Sequence, residues 1–219
     1  MLSNQVVAML LEGIRDTVYM TLVSTFVGYV LGLPMGILLT ISDKDGIKPN
    51  AAIYKVLDFI SNILRSIPFL ILLILLIPFT RLVVGRSYGS NATIVPLVIA
   101  AAPYIARMVE SSLKEVDNGV IEAARSMGAS NFQIVTKVML VEARTSLVTN
   151  ATIALGTILG YSAMAGTVGG GGLGDIAIRY GYTRWQTDIM IITVVLLILL
   201  FQIFQTTGMY IANKIDKRK

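Results

Sequence analysis

Five stretches of this chain carry nearly unbroken apolar sequence, at residues 17–41, 67–84, 92–112, 146–168 and 188–212, and polar or glycine-rich segments separate them. A helix needs roughly 20 apolar residues to cross ~30 Å of hydrocarbon, so the pattern predicts five transmembrane helices in an all-α integral membrane protein. The segments between them have their own periodicities. Residues 3–16 set Leu10, Leu11 and Ile14 on one side and Glu12, Arg15 and Asp16 on another, which predicts a short helix lying on the membrane surface. Residues 42–50 form a polar turn with Gly46 and Pro49. Beyond it Ile53, Val56, Leu57, Ile60, Leu64 and Ile67 recur every three or four residues among Lys55, Asp58, Asn62 and Arg65. That spacing predicts an amphipathic, interfacial elbow leading into the second span.

Composition supports the membrane assignment. Of 219 residues 55% are hydrophobic and 14% charged, with a mean hydropathy of +0.75, against about 25% charged in soluble domains. The chain has no cysteine and no histidine, so it offers no disulfide, no thiolate or imidazole metal ligand and no histidine base. No catalytic residue, metal site or cofactor is expected on it. The net charge of +5 belongs to loops rather than to a nucleic-acid surface. About twelve cations, among them Lys44, Lys48, Lys55, Lys114, Arg125, Lys137 and the tail Lys217, Arg218 and Lys219, fall on one side of five spans, and about five, including Arg15, Arg81 and Arg184, fall on the other. The positive-inside rule then places the N-terminus outside and the C-terminus in the cytoplasm. The first span should persist in the mature protein, since it is longer than a signal-peptide core and lacks a basic leader.

Within the first span Gly28, Gly32 and Gly36 make overlapping small-xxx-small patterns, which let a neighbouring helix approach closely. Between the fourth and fifth spans, Gly169, Gly171 and Gly174 satisfy G-x-G-x-x-G, but a membrane span precedes them instead of a strand. The dinucleotide reading is therefore discarded, and no Gly-Lys-Ser/Thr ending makes a phosphate loop. That segment reads either as a flexible loop or as a re-entrant one lining a pathway. Asp58 and Arg65, seven residues apart, share one helical face and could pair indirectly through polar groups between them. Arg65 reads as interfacial, with a place inside the bundle as the alternative. No acidic residue lies deep in the first, third or fourth spans, so a proton relay finds little support.

The most informative segment is cytoplasmic in this topology. Glu122-Ala123-Ala124 is followed by Gly128, Val138 and Leu140, in a loop over residues 113–145. This pattern resembles the signature of the permease subunits of bacterial ABC importers, with Val141 standing where that family usually has proline. The segments around Arg65-Ser66-Ile67-Pro68-Phe69, Ala102-Pro103-Tyr104 and Gly160-Tyr161-Ser162-Ala163-Met164 extend the likeness to the permeases of methionine importers over nearly the whole chain. The resemblance implies the type I importer fold and a non-catalytic subunit importing L- and D-methionine. It also implies a homodimer, two ATP-binding subunits that hold ATP and Mg, an extracytoplasmic methionine-binding lipoprotein and surrounding membrane lipid. On that reading Glu122, Ala123, Ala124, Arg125, Met127 and Gly128 couple to the ATPase, with Gly128 permitting close approach. Tyr161, Ser162, Met164 and Arg65 are candidates for the pathway or its gate. Permeation of another amino acid or small solute is the alternative, and stand-alone secondary transport a more distant one.

Overall fold

The computed structural model describes residues 4–216, so Lys217, Arg218 and Lys219 of the cation count lie outside the described residues, as does Ser3 of the lead-in segment. Helix α1 runs from Asn4 to Ser42 without interruption. The separate surface helix expected over residues 3–16 is instead its first third. Leu10 buries there in a small cluster with Leu173, Ile176 and Ile189, and Gly13 lies directly against Leu173 and Ile176. Burying that apolar side favours one straight helix over a turn onto the surface. Pro34 is carried inside it.

The elbow helix α2 (Ala51–Ser66) starts at Asn50, whose side chain accepts hydrogen bonds from the amides of Ala52 and Ile53 at 3.1 Å. Helix α3 (Phe69–Leu75) follows at 101° to it. Pro68 makes the corner: it lacks an amide hydrogen and forces Ile67 into an extended conformation, at φ −82° and ψ 123°. A second break at Leu76 precedes α4 (Ile77–Val84), which has Pro78 in its first turn. The second apolar stretch is thus two short helices rather than one rod.

Helix α5 (Ser90–Lys114) lies parallel to α1, with the glycine stripe as the contact. A β-carbon at Gly32 would stand 2.6 Å from the carbonyl oxygen of Ala102, and one at Gly36 2.5 Å from that of Ala106. The close approach implied by the small-residue spacing is therefore backbone against side-chain-free backbone. Helix α6 (Asn118–Ser126) leads to α7 (Asn131–Gln133), a π-helical turn (Ile134–Met139) and α8 (Leu140–Glu142). With Val141 in place of proline, the helical path continues to a one-residue turn at Ala143. Helix α9 (Arg144–Ala165) then runs antiparallel to α5: the Asn150 amide donates to the Met108 carbonyl at 3.2 Å and to the Ser112 hydroxyl at 2.8 Å.

After a 3₁₀ turn (Gly166–Val168), α10 (Gly172–Ile176) and a π-helical turn (Ala177–Tyr182), α11 (Thr187–Ile215) returns along α9. Gly156 faces Phe201, and Gly208 faces Thr152. Four of these segments are long and apolar enough to cross a membrane, or five when the bent α2–α3 pair is taken as one. The core packs Met20, Leu97, Ile105, Val109, Leu113, Ile134 and Ile158 between α1, α5, α9 and the π-helical turn. Helix α11 is largely uncovered, with Ile191, Ile198, Leu199 and Ile203 turned outward, as expected of a surface against lipid. Buried threonines return their hydroxyls to their own helix: Thr17 to Gly13, Thr25 to Thr21 and Thr40 to Gly36, at 2.7–2.9 Å. Such bonds satisfy a polar group where no water can.

The glycine-rich segment is not a flexible loop. The Gly89 amide donates to the Gly169 carbonyl at 2.9 Å, the Thr93 hydroxyl to the Gly170 carbonyl at 3.0 Å, and the Leu173 amide to the Thr17 hydroxyl at 2.9 Å. It plugs the bundle end where α1 and α5 begin. The opposite end carries α6 and the last residues of α11.

Candidate functional site

At the α6 end, geometry separates an inner from an outer face. Asp117 caps α6 by accepting from the Gly119 amide at 2.7 Å. Ala124 is buried, Ile121 packs on the core, and the Arg125 guanidinium donates to the Ile47 carbonyl at 2.9 Å, which ties α6 to the turn after α1. Glu122 and Ala123 are exposed, and the Glu122 carboxylate has no hydrogen bond or ion pair among the described residues. Of the two alanines, then, one seats the helix on its own chain and one is presented to solvent.

The helix ends in a Schellman arrangement, with the Ala129 amide bonded to the Ala124 carbonyl at 3.1 Å and the Gly128 amide to the Arg125 carbonyl at 3.0 Å. Gly128 sits at φ +82°, and a β-carbon there would meet nothing within 4 Å. Within this chain the glycine answers to backbone conformation, not to a crowding neighbour. Ser130 and Gln133 then form a reciprocal capping box. The result displays Met127, 82% exposed, and Phe132, 77% exposed, on either side of the turn. Two large apolar side chains standing free at a polar helix end are the mark of an interaction surface. Phe132 is a residue the sequence reading missed; the capping box beside it was the available signal.

A cleft of about 540 Å³ separates α6 from the turn after α1, lined by Asp43, Ile47, Lys114, Ile121, Glu122 and Arg125. Behind it runs a chain of ion pairs. Lys114 joins Asp43 at 2.7 Å and Glu110 at 2.8 Å, and Glu110 joins Arg107 at 2.7 Å. Arg107 in turn holds Asp58 on α2 and donates to the Asn62 Oδ1 at 3.0 Å. The hydrogen bond from Lys114 holds the Asp43 carboxyl below its usual value. Asp58 therefore pairs with Arg107, not with Arg65. Lys114, counted as a loop cation from the sequence, is with Arg107 a residue of α5, and Glu110 between them is buried.

The other candidate residues gather farther up. Arg65 lines a recess with Phe69, Tyr104 and Tyr161, beside the middle of α5 and not at its end. Phe69 and Tyr161 stack with centroids 4.5 Å apart and planes at 6°. Met164 is half-exposed, one turn beyond Tyr161 on the same face of α9. Ser162 is elsewhere: it is buried and donates to the Leu159 carbonyl at 2.8 Å.

The model of the binding-protein-dependent transport system inner membrane component family matches residues 28–218. The chain belongs to that family. It is 48% identical over 210 residues to the probable D-methionine transport system permease protein MetI of Vibrio cholerae, spanning 96% of this chain and 93% of that one. It is 52% identical over 165 residues to the D-methionine transport system permease protein MetI of Escherichia coli K12, spanning 75% and 76%. Among solved structures, an inward-facing form of the MetNI methionine ABC transporter superposes with a TM-score of 0.97 at 48% identity, over 99% of this chain and 100% of that one. The fold is thus the all-α type I importer permease fold, in an inner-membrane, multi-pass protein.

Proposed function

We propose that this chain is the membrane-spanning subunit of an ATP-driven methionine importer, working as a homodimer on two ATP-binding subunits and fed by an extracytoplasmic methionine-binding lipoprotein. The named relatives support the cargo. The coupling role rests on one observation above all: α6 is fixed to its own chain by Ala124 and Arg125 while the side chains of Glu122, Ala123, Met127 and Phe132 stand exposed. ATP and Mg belong to the partner subunit. On this chain the residues do mechanical work. Met127 and Phe132 seat in the ATPase, Glu122 supplies a charge for a partner's cation or amide, and the Arg125 bond passes α6 motion to the end of α1. Rigid-body rocking then changes which end of the pathway is open. In this reading the α6 end faces the cytoplasm and the glycine-rich end faces outward. Tyr161 and Met164 line the pathway face of α9, with Met164 as a pliable element of the outer gate. Ser162 holds the helix behind them.

The test is co-purification and coupled uptake. Met127→Asp and Phe132→Asp should each insert normally, since both side chains are exposed, yet lose the ATPase subunits and methionine uptake in reconstituted vesicles. Retention of both by both variants would sink the coupling assignment. A complex that takes up no methionine when supplied with its loaded binding protein would sink the cargo.

A further inference from the structure

Arg65 is a cation that the coupling mechanism leaves unused. Arg107, Lys114 and Arg179 each hold a carboxylate, whereas no described carboxylate pairs with Arg65. Its recess of about 190 Å³ lies below the ~300–1,000 Å³ of drug-sized pockets, a size suited to the head of a small ligand. Tyr104, midway along α5, sets the depth, and its hydroxyl accepts from Thr157 at 3.4 Å. Phe69 and Tyr161 supply a stacked aromatic wall. The Arg65 side chain is exposed on the open side of this recess, so its guanidinium is accessible to an incoming anion.

We infer that the recess is a transit subsite for an α-amino acid, with Arg65 receiving its carboxylate and the Phe69–Tyr161 pair offering a surface to an apolar side chain. The guanidinium fork matches a carboxylate, the Tyr104 and Tyr161 hydroxyls add donors beside it, and aromatic rings favour a thioether. A lipid phosphate offers similar chemistry, but headgroups lie at the two faces of the ~30 Å hydrocarbon core, away from a recess beside the middle of α5. This inference rests on the importer reading above and assigns it a contact point.

The complex purified without its binding protein is titrated with L-methionine by saturation-transfer NMR, with L-methioninamide, which lacks the carboxylate, as the comparison. Wild type should bind methionine and discriminate against the amide. Arg65→Gln should weaken methionine by about 10-fold or more, the range for a hydrogen bond to a charged group, and abolish the discrimination, while Arg65→Lys restores part of both. A purely structural role for Arg65 would weaken both ligands alike. Should Arg65→Gln fail to assemble with its ATPase subunits, Tyr104→Phe reads the same discrimination with volume preserved, and a several-fold fall is expected. Unchanged discrimination in an assembled variant overturns the subsite, as does binding that follows anionic-lipid content rather than the carboxylate. Failure of wild-type uptake with the loaded binding protein would strike the importer reading instead, a separate outcome.

Discussion

Glu110→Gln removes one negative charge from a buried position, 5% exposed, that faces the Arg107 guanidinium at 2.7 Å and the Lys114 ammonium at 2.8 Å. Breaking a buried pair by taking away one partner costs about 3–5 kcal/mol, because the remaining charge stays desolvated. The two cations do not share that cost equally. The Lys114 side chain is 43% exposed and also holds Asp43, so water and a second carboxylate shield its loss. The Arg107 side chain keeps Asp58 but is only 15% exposed, and its Nε already lacks a partner. The lower end of the range, about 3 kcal/mol, is therefore expected, carried mainly by Arg107. For a domain of this length ~2–4 °C accompanies each kcal/mol, so the midpoint should fall by about 6–12 °C. The assay is heating of the detergent-solubilised complex followed by size-exclusion chromatography. The double variant Glu110→Gln/Arg107→Met should recover part of the loss, since it removes the guanidinium that Glu110→Gln leaves facing a neutral amide, and only part because Asp58 then loses its partner. A shift below about 2 °C, or a double variant no better than the sum of its parts, would refute the buried ion chain as a stabilising element.

Gly36→Ala places a methyl 2.5 Å from the Ala106 carbonyl oxygen and should cost about 1–3 kcal/mol in the same heating assay. Gly160→Ala, with nothing within 4 Å of its β-carbon, should be neutral; equal effects at the two sites would argue against the close α1–α5 contact. Gly128→Val forces a β-branched residue to φ +82° and should cost at least about 1–2 kcal/mol and weaken ATPase co-purification, whereas Gly128→Asn should be tolerated. Uptake unaltered by Val would show that the αL turn is dispensable. In this cysteine-free chain, Trp185→Cys at the exposed α11 entry should label from outside intact cells and Ser126→Cys only after permeabilisation. The reverse pattern would invert the orientation.

Periodicity made the long helices legible, because each buries or offers to lipid a side of nearly pure apolar sequence, and the spacing of Gly28, Gly32 and Gly36 announced the α1–α5 approach. Pro68 was visible too, yet the 101° corner it makes was not, since proline reports a break and not its angle. The fate of Arg65 was hidden for a related reason. Sequence places it at the end of an amphipathic run, where an interfacial cation is ordinary, and only the path of α2 along α5 brings it beside Tyr104. Asp58 likewise found a partner 49 residues away, beyond the reach of helical spacing. The turn made at Gly128 was not legible: a motif shows that a glycine stands there, and only its φ of +82° reveals the left-handed turn it makes within its own chain.

The glycine stripe also governs what can bend. Where α1 and α5 lie parallel with carbonyls pressed into Cβ-less positions, a slip of one residue would drive Leu33 or Ile37 onto the Ala102 or Ala106 oxygen. The pair therefore behaves as a splint, stiff along its length and unable to dissipate a push by shearing. Whatever displacement enters at the Arg125–Ile47 bond travels the splint to the glycine-rich plug at Thr17, about 38 Å from the end of α1 at 1.5 Å per residue. Compliance is left to the joints the chain has not splinted, among them the corner at Pro68, the break at Leu76 and the single-residue turn at Ala143.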